Sequence, residues 1–357
     1  MKTTRRNILL SALCCISTSM ANAQSFWGNY TTEWQWDMNK GTNWVNLLRL
    51  EMSVPLWKGG SLEAATLHVA KTGDGIIDDW QGFSNIEADN MFAGIAVLGY
   101  MHEWKAGHLF VGVRNVNEDF FTSDVTALFT NSSCGIFPTI AASYPIANYP
   151  LSGLTVYFDV SKGGWIFKNS LYNGVGYNGW KHHDNPFIIN PKRDGIFNIS
   201  QLEYSWHGAL YYAGVTFHTR RFVFDDKGEM APADEAVHKT SCVWWVYGEQ
   251  PVWKSDGKTI TCMAQYSENT CRESGCYRYA EAGGAYTDSL NMCGISGQYA
   301  QFCQDNEFSL ELTWRRQLTK SIAIQPSFQY INNGNGNFTV LSTRLCCSFW
   351  KRAHCPA

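Results

Sequence analysis

Residues 307–349 read EFSLELTWRRQLTKSIAIQPSFQYINNGNGNFTVLSTRLCCSF, and their alternation decides the fold. In the first part Phe308, Leu310, Leu312 and Trp314 fall on one face of an extended chain, with Glu307, Ser309, Glu311 and Thr313 on the other. That is the period of two of a β-strand. In the second part Ile322, Ile324, Phe328 and Tyr330 oppose Ala323, Gln325, Ser327 and Gln329, with Pro326 in the apolar series, where its missing N–H is unusual in a paired strand. In the third, Leu341, Thr343, Leu345, Cys347 and Phe349 oppose Ser342, Arg344, Cys346 and Ser348. The link at 317–320 is short, and 332–337 (NNGNGN) reads as a longer polar turn. Sorted strands joined this way predict up-and-down antiparallel neighbours.

Outward from this stretch, strands of the same kind are read at 43–57, 61–70, 91–104, 107–115, 154–160, 199–206, 210–218 and 243–253. Weaker candidates near the N-terminus and within 259–302 bring the count to about sixteen, an even number typical of bacterial barrels. Trp57, Trp104, Trp165, Trp206, Trp253, Trp314 and Trp350 sit at strand ends, as the girdles of a membrane barrel do. Charged residues are only 17% of the chain, against roughly 25% in an average soluble protein, and aromatics reach 15%. Mean hydropathy is -0.24, and no run after residue 23 approaches the ~18 apolar residues of a spanning helix. A helical membrane protein is therefore excluded. The fold class expected is all-β, a transmembrane antiparallel β-barrel; a soluble aromatic-edged sandwich is the plain alternative.

The N-terminus carries Lys2, Arg5 and Arg6 before an apolar run at 8–16, too short to cross a bilayer. It reads as a signal peptide over 1–23, cut after Ala21-Asn22-Ala23. The residues preceding Cys14 and Cys15 are not the small ones of a lipidation site. The expected organisation is one barrel domain, 24–350, and a C-terminal tail, 351–357. A formal net charge of -3 offers no basic stripe for nucleic acid. Ten of the 12 cysteines lie beyond residue 23, too many for one connectivity to be chosen. Cys271 and Cys276 are close enough in sequence to close a small loop, whereas Cys346 and Cys347 point to opposite faces of a strand.

Several blocks resemble the carbohydrate-selective porin family OprB. They are 78–88 (DDWQGFSNIEA), 111–114 (VGVR), Phe120-Phe121, 128–133 (LFTNSS), 149–151 (YPL), 247–253 (YGEQPVW) and 324–330 (IQPSFQY), in family order between about Trp44 and Phe349. The resemblance implies a monomeric barrel of the bacterial outer membrane, with short periplasmic turns, long outer loops and a narrow polar eyelet. Such a pore passes mono- or small oligosaccharides such as glucose by passive diffusion, without a cofactor, in contact with outer-membrane lipids. Two features depart from the family: residues 350–357 follow Phe349, where the family's last strand ends, and the cysteines are numerous.

A sugar pore needs planar polar groups that bond several hydroxyls and aromatic faces that stack on the sugar ring. Charges in spanning strands face the lumen, because an Arg or Lys on the lipid face costs ~2 to 4 kcal/mol at midplane. Alternation directs Arg49, Glu51, Arg114, Glu203, Glu249, Glu311 and Arg344 inward. Each serves equally as an electrostatic wall residue, and Arg49 and Glu51, two apart on one face, can simply pair. Gln81 and Asn85 are candidates for a loop folded into the lumen, or for turn caps. Glu307 and Glu311 do not straddle a bond as a glycosidase pair would. Residues 182–184 (HHD), beside Asn185-Pro186, read as a solvated loop, and 225–229 (DDKGE) as a tight turn without the ligand pattern of a calcium loop. No nucleophile elbow, phosphate loop or zinc knuckle occurs, so no catalysis and no metal are expected. The alternatives to a sugar-selective porin are a non-selective general porin and a secreted soluble carbohydrate-binding or hydrolysing β protein.

Overall fold

The computed structural model describes residues 25–39, 41–177, 185–224, 230–232, 241–303 and 305–352. The signal-peptide reading at 1–23, the two loop readings at 182–184 and 225–229, and residues 353–357 of the expected tail lie outside them. Sixteen strands close into one antiparallel barrel. They are β1 (Ser25–Asp37), β2 (Gly41–Trp57), β3 (Gly60–Lys71), β4 (Met91–Trp104), β5 (Gly107–Arg114), β6 (Gly153–Lys162), β7 (Trp165–Asn173), β8 (Ile196–Trp206) and β9 (Ala209–His218), then, after a hairpin outside the wall, β10 (Phe222–Phe224) and β11 (Met230–Pro232), the strands β12 (Ser241–Ser255), β13 (Lys258–Asn269), β14 (Cys276–Thr287), β15 (Asn291–Phe302), β16 (Asn306–Gln317), β17 (Ile322–Asn333) and β18 (Gly336–Arg352). β1 pairs with β18 from Ser25–Arg352 to Asp37–Val340, so the wall has no open edge. No helix among the described residues is long and apolar enough to cross a membrane.

The alternation on β16 sorts as read: Glu307, Ser309 and Glu311 are fully buried inside, while Phe308, Leu312 and Trp314 are about 40–45% exposed outside. Strong alternation arises because one face meets an apolar surround and the other a polar interior. Tryptophans mark both rims. Trp57, Trp104, Trp165, Trp206, Trp253 and Trp314 are exposed at the end carrying the short links, and Trp34, Trp44 and Trp244 at the end carrying the long loops. Three of the short links are two-residue turns with both residues at positive φ, Gly163-Gly164 (59°, 85°), His207-Gly208 (51°, 84°) and Asp256-Gly257 (48°, 74°). Such turns match the right-handed twist of the strands they join.

Four details differ from the sequence reading. β7 was not among the strands read there, because Lys168, Asn169 and Ser170 interrupt its apolar series. The polar turn at 332–337 is mostly strand, leaving only Gly334 and Asn335 as the link, since Asn332 pairs with Asn337. β18 runs three residues past Phe349, because Trp350, Lys351 and Arg352 find ladder partners in Trp27, Phe26 and Ser25. The nine described cysteines are all free, Cys271 and Cys276 included.

The barrel interior is divided. Inward residues of β16–β18 and β1 are mostly polar, among them Glu33, Gln35, Gln325, Gln329 and Arg344, with Ile331, Phe338 and Val340 packed on Phe83 as the apolar exception, whereas those of β5–β14 include Phe110, Tyr157, Tyr172, Phe197, Tyr212, Trp245 and Tyr279. This aromatic half is covered by the segment between β5 and β6. Its Phe120, Phe121, Leu128, Phe129, Phe137, Ile140 and Tyr144 are buried inside the wall. Phe121, held at φ 62°, packs its ring 5.1 Å from Phe137 and 5.2 Å from Trp245. A strained backbone of this kind persists only where packing over-determines it.

Candidate functional site

Two long connections turn into the lumen, the β3–β4 loop at 72–90 and the β5–β6 segment at 115–152, and wall side chains hold both. The carboxylate of Glu307 accepts the backbone N–H groups of Trp80 (2.7 Å) and Gln81 (2.9 Å) together with Asn333 Nδ2 (2.7 Å). Glu311 accepts the N–H of Thr130 (2.8 Å), that of Asn131 (3.0 Å) and the Ser327 hydroxyl (3.0 Å). Gln325 Nε2 donates to the Leu128 carbonyl and Gln329 Nε2 to that of Phe83, each at 2.6 Å. Arg344 forms an ion pair with Glu33 and reaches Ser84 Oγ at 3.3 Å. One glutamate thus satisfies two loop donors that burial would otherwise leave without a partner.

All seven charges directed inward by alternation lie on the inner face, but they do different work. Glu311 and Arg344 anchor loops. Glu203 pairs with Lys168 at 2.6 Å, whose Nζ also donates to the Asp119 carbonyl at 2.8 Å. Gln81 and Asn85 are both on the in-turned loop, where Gln81 meets Glu307 and the Asn85 N–H donates to the Thr130 carbonyl at 2.8 Å. Glu249 accepts from Tyr247 OH (2.6 Å) and Ser123 Oγ at a cavity of about 540 Å³ that Asn85 also lines.

The remaining three, Arg49, Glu51 and Arg114, come together with Glu63, Glu118 and Trp27 around a second cavity of about 360 Å³. Arg49 is occupied on both edges: Nε contacts Glu51 at 2.7 Å, and Nη1 and Nη2 contact the two oxygens of Glu118 at 2.7 and 2.9 Å. Arg114 differs. Its Nη2 bonds Asp119 and its guanidinium lies 4.4 Å over the Phe110 ring, yet Nε and Nη1 have no hydrogen-bond partner among the described residues, although the residue is only 7% exposed. Burial pushes the Asp119 carboxyl up to about 7, with Arg114 opposing the shift. Both nitrogens are closed to solvent as well, so they are buried donors without partners, which are costly and rare, and not a surface offered to a solute.

Glu63 lies in phase with Ala65 and Leu67 on the inner face of β3 and could have been found by the same alternation. Glu118 and Asp119 could not, because they stand in an irregular segment with no period to read. Among the described residues no cluster of His, Cys, Asp and Glu could hold a metal ion.

A closed sixteen-stranded antiparallel wall with connections folded into its lumen is the architecture of a porin. Residues 284–349 match the carbohydrate-selective porin, OprB family. The fold superposes on the high-pH structure of Pseudomonas putida OprB with a TM-score of 0.76 at 13% identity, covering 93% of this chain and 96% of that one. OmpT of Vibrio cholerae, a loop L8 deletion mutant, gives 0.59 at 9% identity over 92% of this chain and 100% of that one. A mutant of the Rh. blastica porin gives 0.58 at 11% identity over 91% and 99%. A search of curated proteins finds no match. The family match covers part of the C-terminal half of the barrel, and the similarity over the whole chain is one of fold.

Proposed function

We propose that this barrel is an outer-membrane porin that passes monosaccharides such as glucose by passive diffusion through a narrow polar route, as a monomer, without a cofactor. The observation that carries the reading is a cavity of about 360 Å³ lined by the guanidinium-bearing Arg49 and Arg114, the carboxylate-bearing Glu51, Glu63 and Glu118, and Trp27. Guanidinium groups in such a lining are donors matched to the oxygens of a sugar. Glu51, Glu63 and Glu118 supply acceptors for hydroxyl protons, and Trp27 supplies a flat apolar face for the ring. The porin fold and the family match over 284–349 support the same reading. Glu249, at the cavity of about 540 Å³ that residues of the in-folded segment line, is assigned a further contact on this route.

Selectivity then arises from pore width and from the hydrogen bonds of the lining. Liposome swelling with glucose against uncharged non-sugar solutes of equal size tests it. Faster glucose entry is expected; equal rates would reduce the protein to a general porin.

A further inference from the structure

The outer wall carries a groove of about 540 Å³ that crosses five strands. Register explains its course. Trp34 on β1 pairs with Thr343 on β18, Thr343 with Pro326 on β17, and Trp314 on β16 with Cys293 on β15. These outward residues form one row along the hydrogen-bonding direction. Trp36, Leu341 and Phe328 head the next outward row. Between the rows runs the backbone of Ser342, Ser327, Thr313 and Gly294, which is the groove floor.

The trough is open and shallow, and it forms because Thr343, Pro326 and Cys293 are short where their neighbours are indoles and phenyl rings. Pro326 also interrupts the wall: the β16–β17 ladder passes from Thr313–Ser327 to Arg316–Ile324, and Thr313 Oγ1 bonds the Pro326 carbonyl at 3.3 Å. Four strand spacings of ~4.8 Å make the groove roughly 19 Å long. One leaflet of hydrocarbon is about 15 Å thick, half of a ~30 Å core.

Beyond Trp314, on the same outward face and toward the short links, stands Arg316. It is exposed, meets Asn291 Oδ1 at 3.5 Å and makes no ion pair among the described residues. We propose that the groove seats one acyl chain of a phospholipid whose anionic headgroup rests on Arg316. The apolar walls exclude a sugar, the groove opens where a membrane barrel meets lipid tails, and an unpaired guanidinium at the interface is matched to a phosphate. The site rests on the membrane-spanning reading of the barrel and not on sugar selectivity.

The test is native mass spectrometry of the full barrel released from nanodiscs of phosphatidylglycerol mixed with phosphatidylcholine. One phosphatidylglycerol is expected to remain bound. Thr343→Trp, which fills the trough, removes it; Val156→Trp, on an outward position of β6, does not. Arg316→Glu lowers the preference for phosphatidylglycerol about fivefold, the worth of one basic residue near an anionic surface, and gives a second readout should the Thr343 variant fail to assemble. Equal lipid retention by wild type and both groove variants, or detergent alone in place of lipid, overturns the proposal. A barrel that holds the lipid but passes glucose no faster than a non-sugar refutes only the transport reading.

Discussion

Glu311 and Thr130 stand 181 positions apart in the chain, yet one carboxylate oxygen of Glu311 accepts both the backbone N–H of Thr130 (2.8 Å) and its hydroxyl (2.9 Å). The other oxygen takes the N–H of Asn131 at 3.0 Å. This contact fixes the in-folded segment to β16, two strands along the wall from β14, whose Tyr279 ring packs 6.0 Å from Phe137 of the same segment. Glu311→Leu leaves two buried N–H groups without partners, at about 1–3 kcal/mol each. The expected result is a lower temperature for the heat-induced gel shift and larger, noisier single-channel currents. Currents identical to wild type would mean that the segment is held without Glu311.

Arg114→Ala removes a guanidinium from the cavity lining, together with the Asp119 ion pair and the contact over Phe110. Hydrogen bonds to a charged group are worth about 1.5–3 kcal/mol, so the glucose concentration that half-blocks ion current should rise roughly tenfold or more. Arg114→Lys keeps the charge but not the planar fork and should fall between the two. An unchanged half-blocking concentration in the alanine variant removes Arg114 from the sugar route.

Asp79, on the in-turned loop, donates nothing when ionised and accepts the Phe83 N–H at 2.5 Å. Burial, and then the nearby Glu307 carboxylate, push its pKa up from 3.8 to about 7. The folded chain therefore binds more protons than the unfolded chain between these two values. Stability from this group is present at acid pH and is lost as pH rises from about 4 to about 7. Asp79→Asn keeps an acceptor for Phe83 and cannot ionise. Its gel-shift temperature should exceed that of wild type at pH 8 and match it near pH 4; a constant difference across the range would contradict the assignment.

Gly214, on the inner face of β9, lies directly under the Trp245 indole, where an added Cβ would come within 2.1 Å of Cζ2. Gly214→Val must displace Trp245, break its bond from Nε1 to Gln201 Oε1 (3.0 Å) and disturb the rings of Phe121 and Phe137. Overpacking of this kind costs about 1–3 kcal/mol. The expected readout is a lower gel-shift temperature with altered conductance, because the disturbed rings belong to the segment that narrows the lumen. A rise in stability would show that the indole can move freely.

The wall was legible where side chains answer to a simple environment. On β16–β18, each outward residue meets an apolar surround and each inward one a polar interior, so two periods of alternation suffice to read a strand. β7 and β13–β15 were harder, since Lys168 and Ser170, or the small Ala280, Ala282, Gly284 and Gly297, blur the contrast. Inward direction was read correctly for charges on strands, for the same reason. Which of those charges hold loops and which face open space was not readable, because it depends on partners such as Thr130, Asp119 and Glu118 that have no periodic position.

By itself, then, the sequence determined a closed antiparallel wall, its two aromatic rims and the inward direction of seven charges, since these follow from local alternation and from the cost of charge in lipid. Only the tertiary structure decided that residues 115–152 fill the aromatic half of the lumen, that Glu311 and Arg344 are loop anchors, and that Arg49, Glu51 and Arg114 meet Glu118 around one cavity. Those outcomes depend on pairings more than a hundred residues apart or on an irregular segment, where no local pattern carries the information.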